Sequence, residues 1–352
     1  MPVQGFTRFR RHQFGRQVGF NTPIAAKRAY PFKGVPTYGE PWLDPDVDVG
    51  SIDPVVAPYR GPGDYGAPLT DPALRYNSLP LLLSGFFGGG VGSTGGTAKT
   101  WLYDPSSTTP DAVDAFTYEF GDDVLTDWMQ MPDGILTSFE VTGPEGLGVL
   151  TTSMTWRFGS LFSSGFTDFP DSPTVPTALA VDPNEVMVYL KDMSLYIASD
   201  PYDLNYSGSK ITDALHTFTL RFSREVDDKR FVNGDQSFDI DAYGTVSRSI
   251  ELELSFAKTP DTVGLGSESD AWFSEQAVDR YVRLYAESTI DADTGVPYSW
   301  DQSFPMRYRT RVEGEVGGNS LVILTGRHFY ASAHNIGAYS SEIVNTLDDT
   351  DL

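Results

Sequence analysis

The chain has 352 residues, enough to bury one large or two modest hydrophobic cores without metal or disulfide staples. It contains no cysteine, which excludes disulfides, zinc-thiolate and iron-sulfur sites and cysteine nucleophiles. Forty-eight acidic against 25 basic residues give a formal charge of -23, a balance that repels nucleic acid, while no apolar run approaches the roughly 18 residues of a membrane helix.

The first segment reverses that charge. Residues 1–39 carry Arg8, Arg10, Arg11, Arg16, Lys27, Arg28 and Lys33 and no carboxylate, so they stand at +7 and leave 18 basic against 48 acidic residues in the rest. Met1 to Gly15 also lacks the apolar core of a secretory signal. A basic arm ahead of an acidic body can lie against another subunit or pin the N-terminus onto its own domain. Residues 31–80 then hold ten of the 24 prolines, which forces extended or turning backbone. Residues 1–78 are therefore expected to be a basic, then proline-rich, extended arm, with Trp42, Tyr59, Tyr65 and Tyr76 as anchors.

The body is expected over 79–346. Leu79 to Phe87 is a short apolar run stopped by Gly88-Gly89-Gly90, after which short strand-like segments recur at 115–120, 135–142, 149–158, 185–190, 215–222, 237–243, 246–257, 306–316 and 321–331. Many short strands separated by Gly, Pro, Asp and Ser turns, in a chain with 22 Phe and 18 Tyr, predict an all-β sandwich or barrel. In 246–257, Ile250, Leu252, Leu254 and Phe256 face one way and Ser249, Glu251, Glu253 and Ser255 the other. In 306–316 the same period puts Arg307, Arg309, Arg311, Glu313 and Glu315 on one face, opposite Met306, Tyr308, Val312 and Val316. One short helix is expected at the start of 269–287, giving way to strand near Tyr281. The acidic end, 347–352, is expected to be a frayed tail.

Motifs for chemistry fail on context. Gly90-Val91-Gly92-Ser93-Thr94-Gly95 has dinucleotide-turn spacing, but Trp101-Leu102-Tyr103-Asp104-Pro105 follows where a helix should present its amides to phosphate. Asp44, Asp46 and Asp48 open like a calcium loop, yet Gly50 falls one place late and Val55 stands where a bidentate Glu belongs. His12, His216, His328 and His334 form no metal motif, and no Ser lies in G-x-S-x-G. Neither cofactor nor metal is expected, and the chain is read as non-enzymatic.

The stretch from Phe14 to Gly34, with Asn21-Thr22-Pro23-Ile24-Ala25-Ala26-Lys27-Arg28, resembles the opening of major tail tube proteins of long-tailed, siphovirus-type bacteriophages. Gly63-Asp64-Tyr65-Gly66-Ala67-Pro68-Leu69 followed by Tyr76-Asn77-Ser78-Leu79-Pro80-Leu81-Leu82-Leu83 resembles the next segment of that family. A proline-rich insertion from Val35 to Arg60 departs from it. The resemblance implies a β-sandwich or barrel protomer that forms hexameric rings stacked into the virion's tail tube on a tape-measure protein, with a tail terminator or distal tail proteins as further partners and double-stranded DNA passing through without specific binding.

An acidic lumen suits a conduit for a polyanion, since each neutralised phosphate adds drag, and heterologous contacts that do not close on themselves build filaments. Open sheet edges would be covered if neighbouring protomers continued the sheet. On this reading Glu251, Glu253, Glu313 and Glu315 are the lumen-facing candidates, and Arg8, Arg10, Arg11, Arg16, Lys27 and Arg28 the inter-ring arm candidates. The rival readings are a capsid, neck or baseplate component, or a carbohydrate-binding β-sandwich using Trp42, Trp101, Trp128, Trp156, Trp272 and Trp300 as stacking platforms.

Overall fold

Alternation of apolar and polar residues becomes strand wherever the chain is long enough to cross a sheet, and two of the resulting strands far exceed the segments that announced them. The computed structural model describes residues 10–39, 42–43, 59–60, 63–90, 92, 96–105, 114–122, 127–146, 148–163, 179–182, 185–205, 210–211, 215–229, 242–257, 279–316, 319–329 and 339–352. Within these, the strands are β1 (Arg10–Arg16), β2 (Arg28–Tyr30), β3 (Lys33–Gly34), β4 (Thr37–Gly39), β5 (Trp42–Leu43), β6 (Tyr59–Arg60), β7 (Asp64–Asp71), β8 (Lys99–Tyr103), β9 (Phe116–Asp122) and β10 (Asp127–Gly143). They continue as β11 (Thr151–Phe158), β12 (Phe162–Ser163), β13 (Met193–Ala198), β14 (Lys210–Ile211), β15 (Leu215–Lys229), β16 (Ala242–Ala257), β17 (Asp279–Asp293), β18 (Val296–Val316), β19 (Asn319–His328) and β20 (Ser340–Asn345).

All of these pair antiparallel. Eighteen join one barrel-like system, and β5 with β6 makes a separate ribbon. The chain is all-β with one short α-helix among the described residues. The helix expected at the start of 269–287 falls on residues 269–278, which lie outside the described residues; 279–293 is strand, as expected from about Tyr281, and the described helix is α1, Leu79–Phe87. Its residues are all buried, as an evenly apolar helix must be. Pro80 sits in the first turn where its missing N–H is harmless, and Gly88 at φ 78° ends the helix. Gly85 lets α1 press on Trp156, because a Cβ there would lie 2.6 Å from the indole. Arg224, itself buried, donates to the carbonyls of Gly85 (2.8 Å) and Phe86 (3.0 Å) and so completes the C-terminal turn.

The central sheet runs β7–β11–β10–β15–β16–β19–β18, with β3 and β4 on the outer edge of β7. Its inner face carries Trp156, Phe139, Phe222, Leu220, Leu252, Leu254 and Leu324 against α1, with the Phe139 and Phe222 rings stacked at 4.2 Å. Two strands leave this sheet by bending. The first half of β10 pairs with β9, which pairs with β1 and through it β2; the first half of β18 lies between β17 and β20, which lead to β13 and β8.

The described parts of the expected arm belong to this body, while 1–9 and most of the Val35 to Arg60 insertion lie outside the described residues. β1 pairs along its whole length with β9, Tyr65 and Tyr76 are core residues, and the 185–190 segment makes only isolated bridges, to Arg75 through Met187 and to Val149 through Tyr189. The tail at 347–352 is not frayed. Leu347 and Leu352 are buried in the core, Asp348 caps a closing turn, and the backbone N–H of Arg16 donates to the carbonyl of Leu352.

Two buried titratable groups couple this fold to pH in opposite senses. His12, inside β1, places Nδ1 2.8 Å from the Tyr118 hydroxyl, and burial, helped by Arg10, depresses its pKa to about 4. Asp71, at the end of β7, accepts from the Ala73 amide and from Arg75, but burial outweighs them and raises it to about 6. Between pH 6.5 and 4 the unfolded chain takes a proton that folded His12 refuses, so this group withdraws stability on acidification; Asp71 binds its proton more readily when folded and adds stability from pH 6 down to 3.8. Urea midpoints at pH 7 and 4.5 should therefore show His12→Gln losing about 2 kcal/mol less than wild type on acidification, and Asp71→Asn losing about 2 kcal/mol more.

Candidate functional site

The outer face of the central sheet follows from the same alternation that fills the core. Ser138-Phe139-Glu140-Val141-Thr142, Thr219-Leu220-Arg221-Phe222-Ser223 and Ser249-Ile250-Glu251-Leu252-Glu253 each send their apolar members inward and their polar members outward. Antiparallel register then aligns the polar members into rows across the strands, spaced by about 4.8 Å. One row is Thr155, Ser138, Ser223 and Ser249. The next is Thr70, Ser153, Glu140, Arg221, Glu251, Arg327 and Arg307, across seven strands. A third is Thr151, Thr142, Thr219, Glu253, Thr325 and Thr310.

Arg221 is the hub. Its Nε lies 2.8 Å from Glu140, and Nη1 lies 3.1 Å from Glu253 and 3.5 Å from Glu251. Partial burial opposes its charge, but the bonds to Glu140 and Glu253 prevail and hold its pKa above the ordinary value. The short hydroxyl side chains beside it leave a shallow open hollow of about 430 Å³, floored by Ser138, Ser153, Ser223 and Ser249 around Glu140 and Arg221. This surface offers hydroxyls and fixed charges over a wide area. The described histidines lie elsewhere: His12 is buried against Tyr118, His216 is 3.7 Å from Glu145, and His328 packs edge-on against Phe304. Among the described residues no three His, Asp or Glu side chains are gathered to hold a metal.

The structure separates the four glutamates picked from the sequence. Glu251 and Glu253 belong to the ladder face. A bulge in β18 between Tyr308 and Thr310 inserts Arg309 and reverses every residue after it, so Val312 is 55% exposed and pairs with Ile323 on the ladder side, while Arg311, Glu313 and Glu315 lie on the opposite side. The expectation of one continuous charged face from Arg307 to Glu315 is corrected by that single extra residue.

The basic candidates also divide. Arg16 is held 2.9 Å from Asp114 and 3.2 Å from Asp349 and donates to the Gly90 carbonyl at 2.7 Å; Arg28 pairs with the buried Glu185. Both tie the N-terminal strands to the chain's own body. Arg10 and Lys27 are exposed, Arg11 is half-buried, and Arg8 lies outside the described residues. Trp101, Trp128, Trp156 and Trp300 are buried, which removes them as stacking platforms for a sugar; Trp272, His334 and the 44–55 acidic loop lie outside the described residues, as do Val91 and 93–95 of the glycine cluster. No helix among the described residues is long and apolar enough to cross a membrane.

No protein-family model matches the chain, and no curated protein matches it. Solved structures are similar over part of it, among them two phage-type tails. The tail of an empty GTA particle, refined with C6 symmetry, aligns at 16% identity and a TM-score of 0.27, covering 40% of this chain and 93% of that one. The SPP1 tail tube, solved by solid-state NMR and cryo-EM, aligns at 15% identity and a TM-score of 0.27, covering 46% and 81%.

Arg221→Met should leave Glu140, Glu251 and Glu253 facing one another without their cation. The partly exposed network is expected to lose about 1 kcal/mol in urea unfolding at low salt, and 0.5 M NaCl, as an approximate test condition, should recover most of it by screening.

Proposed function

We propose that this chain is a structural subunit of a bacteriophage tail tube: six copies close into a ring, rings stack, and double-stranded DNA passes along the channel into the host. The observation that carries the reading is the ladder face, a broad wall of hydroxyls and paired charges whose hollow beside Arg221 is shallow and open. A passage for a polyanion needs a continuous surface that hydrates well and does not accumulate positive charge, and the Arg221 hub binds its guanidinium to three carboxylates. On this reading Glu251 and Glu253 belong to the channel wall, and Glu313 and Glu315 take the other side of β18.

Self-association is in keeping with an apolar side chain on the outer face: Val312, paired with Ile323, is 55% exposed beside the ladder rows, and a neighbouring copy is the occupant the ring supplies. Exposed Arg10 and Lys27, with Arg11 and Arg8, then face the acidic body of the adjacent ring, while Arg16 and Arg28 fix the root of the arm. A tape-measure protein, a tail terminator and a distal tail protein are the partners of such a tube in the siphovirus-type virion tail.

Negative-stain electron microscopy of the purified chain at rising concentration tests this directly. Six-fold rings, or tubes with a central channel, are the expected result. Closed shells, or single rings that never stack, would move the chain to a capsid, neck or baseplate role; a monomer at every concentration, even with tail-tip initiating proteins present, would overturn assembly altogether. In assembled tubes, Glu251→Lys with Glu253→Lys should preserve the tube yet make it retain duplex DNA in a salt-sensitive manner.

A further inference from the structure

Residues 17–27, between β1 and β2, cross the outer face of the small sheet made by β1, β9 and the first half of β10. That face is polar although it is covered: Gln13, Glu119 and Gln130 form one cross-strand row, Thr117 lies beside it, and all four are buried. The crossing segment is held chiefly by side-chain acceptors instead of by a strand ladder. The Asn21 amide donates to Asp133 Oδ1 (2.8 Å), the Ile24 amide to Thr117 Oγ1 (3.1 Å) and the Ala26 amide to Glu119 Oε1 (3.2 Å). Its two ends are fixed, by Gln17 N–H to the Ala115 carbonyl at 2.8 Å and by Lys27 N–H to the Phe14 carbonyl at 2.8 Å.

The middle buries little. Asn21, Thr22, Pro23, Ala25 and Lys27 are exposed, and only Phe20, Ile24 and Ala26 are half-buried. Close approach depends on Gly15, where a Cβ would stand 2.8 Å from the Ala25 carbonyl oxygen and 3.1 Å from the Ala26 Cα. A strap over an apolar face is fastened by the loss of that face to water, whereas a strap over amides, a hydroxyl and a carboxylate can exchange its bonds for water.

We propose that residues 17–27 are a releasable strap, hinged at Gln17 and Lys27, that lifts from the Gln13–Glu119–Gln130 row while the sheet beneath stays folded. The inference is independent of the tube reading. Lifting exposes groups that hydrate well and frees the span from Asn21 to Ala26 to reach away from the body.

Amide hydrogen exchange on the full chain tests it, with denaturant added below the unfolding transition. The Asn21, Ile24 and Ala26 amides should be protected relative to an unstructured peptide, yet exchange about a thousandfold faster than the Phe120 and Val141 amides, with rates that do not respond to denaturant because little surface opens. Gly15→Ala should speed exchange at Ile24 and Ala26 by about tenfold and leave Phe120 and Val141 unchanged. The proposal is overturned if the strap amides share the rate and denaturant response of the core, if they exchange as an unstructured peptide, or if Gly15→Ala speeds every amide alike. Should Gly15→Ala not fold, the denaturant response of the wild-type chain decides alone.

Discussion

Two strands, β10 and β18, each belong to two sheets, and the rest of the molecule is arranged around the residues where they change partners. A sheet of seven strands can bury one face against a single layer, and a helix of nine residues cannot cover it alone. By bending out of the central sheet, β10 carries β9, β1 and β2 with it, and β18 carries β17, β20, β13 and β8, so the chain wraps its own core and, among the described residues, leaves the opposite face uncovered. In β10 the bend falls at Pro132-Asp133, where Asp133 takes φ 56° and the pairing with β9 shifts register between Met131 and Gly134. Asp133 also accepts the Asn21 amide, so the bend and the crossing segment share one residue.

The inner and outer faces obey different rules. Inside, Phe14, Tyr118 and Trp156 form one set of ring contacts beneath the small sheet, and Phe86, Phe139 and Phe222 form another against α1. Losing one ring from either set leaves a gap its neighbours cannot close. Outside, the rows of Ser, Thr, Glu and Arg bury little and stabilise modestly. What they set is the character of a surface: regular, hydrated and, around Arg221, acidic, since one guanidinium meets three carboxylates, in a chain whose overall charge is -23.

Much of this is legible in the order of the residues. The alternation in 246–257 places Ile250, Leu252, Leu254 and Phe256 in the core and Glu251 and Glu253 outside it, because a strand with one wet face writes its geometry at every second residue. The ladder is legible too, in the mirrored order of Ser138-x-Glu140-x-Thr142 and Thr219-x-Arg221-x-Ser223, but only once antiparallel neighbours are compared with each other. Arg221 and Glu140 escape notice when each strand is taken singly. The bulge at Arg309 is hidden for a different reason: an inserted residue leaves both halves of the pattern intact and changes only their relative phase. Leu79 to Phe87 has neither period, so burial on all sides masks helix as readily as strand. Leu347 and Leu352 look like stray apolar residues among aspartates, and no local pattern announces a side chain whose pocket is built by distant strands.

That last feature bears on when the molecule can become itself. Arg16 stands near the start of the chain, yet one of its two carboxylate partners is Asp349, 333 residues later, and its backbone N–H waits for Leu352. A ribosome adding about 5–20 residues per second needs many seconds to deliver those partners. Until it does, β1 has its pairing with β9 but not its closure, and the pocket for Leu347 stands open. Residues 347–352 are thus the latch on β1, which sets a clock on folding: topology of this kind closes late, and the chain awaiting that segment must stay soluble on the strength of its acidic surface meanwhile.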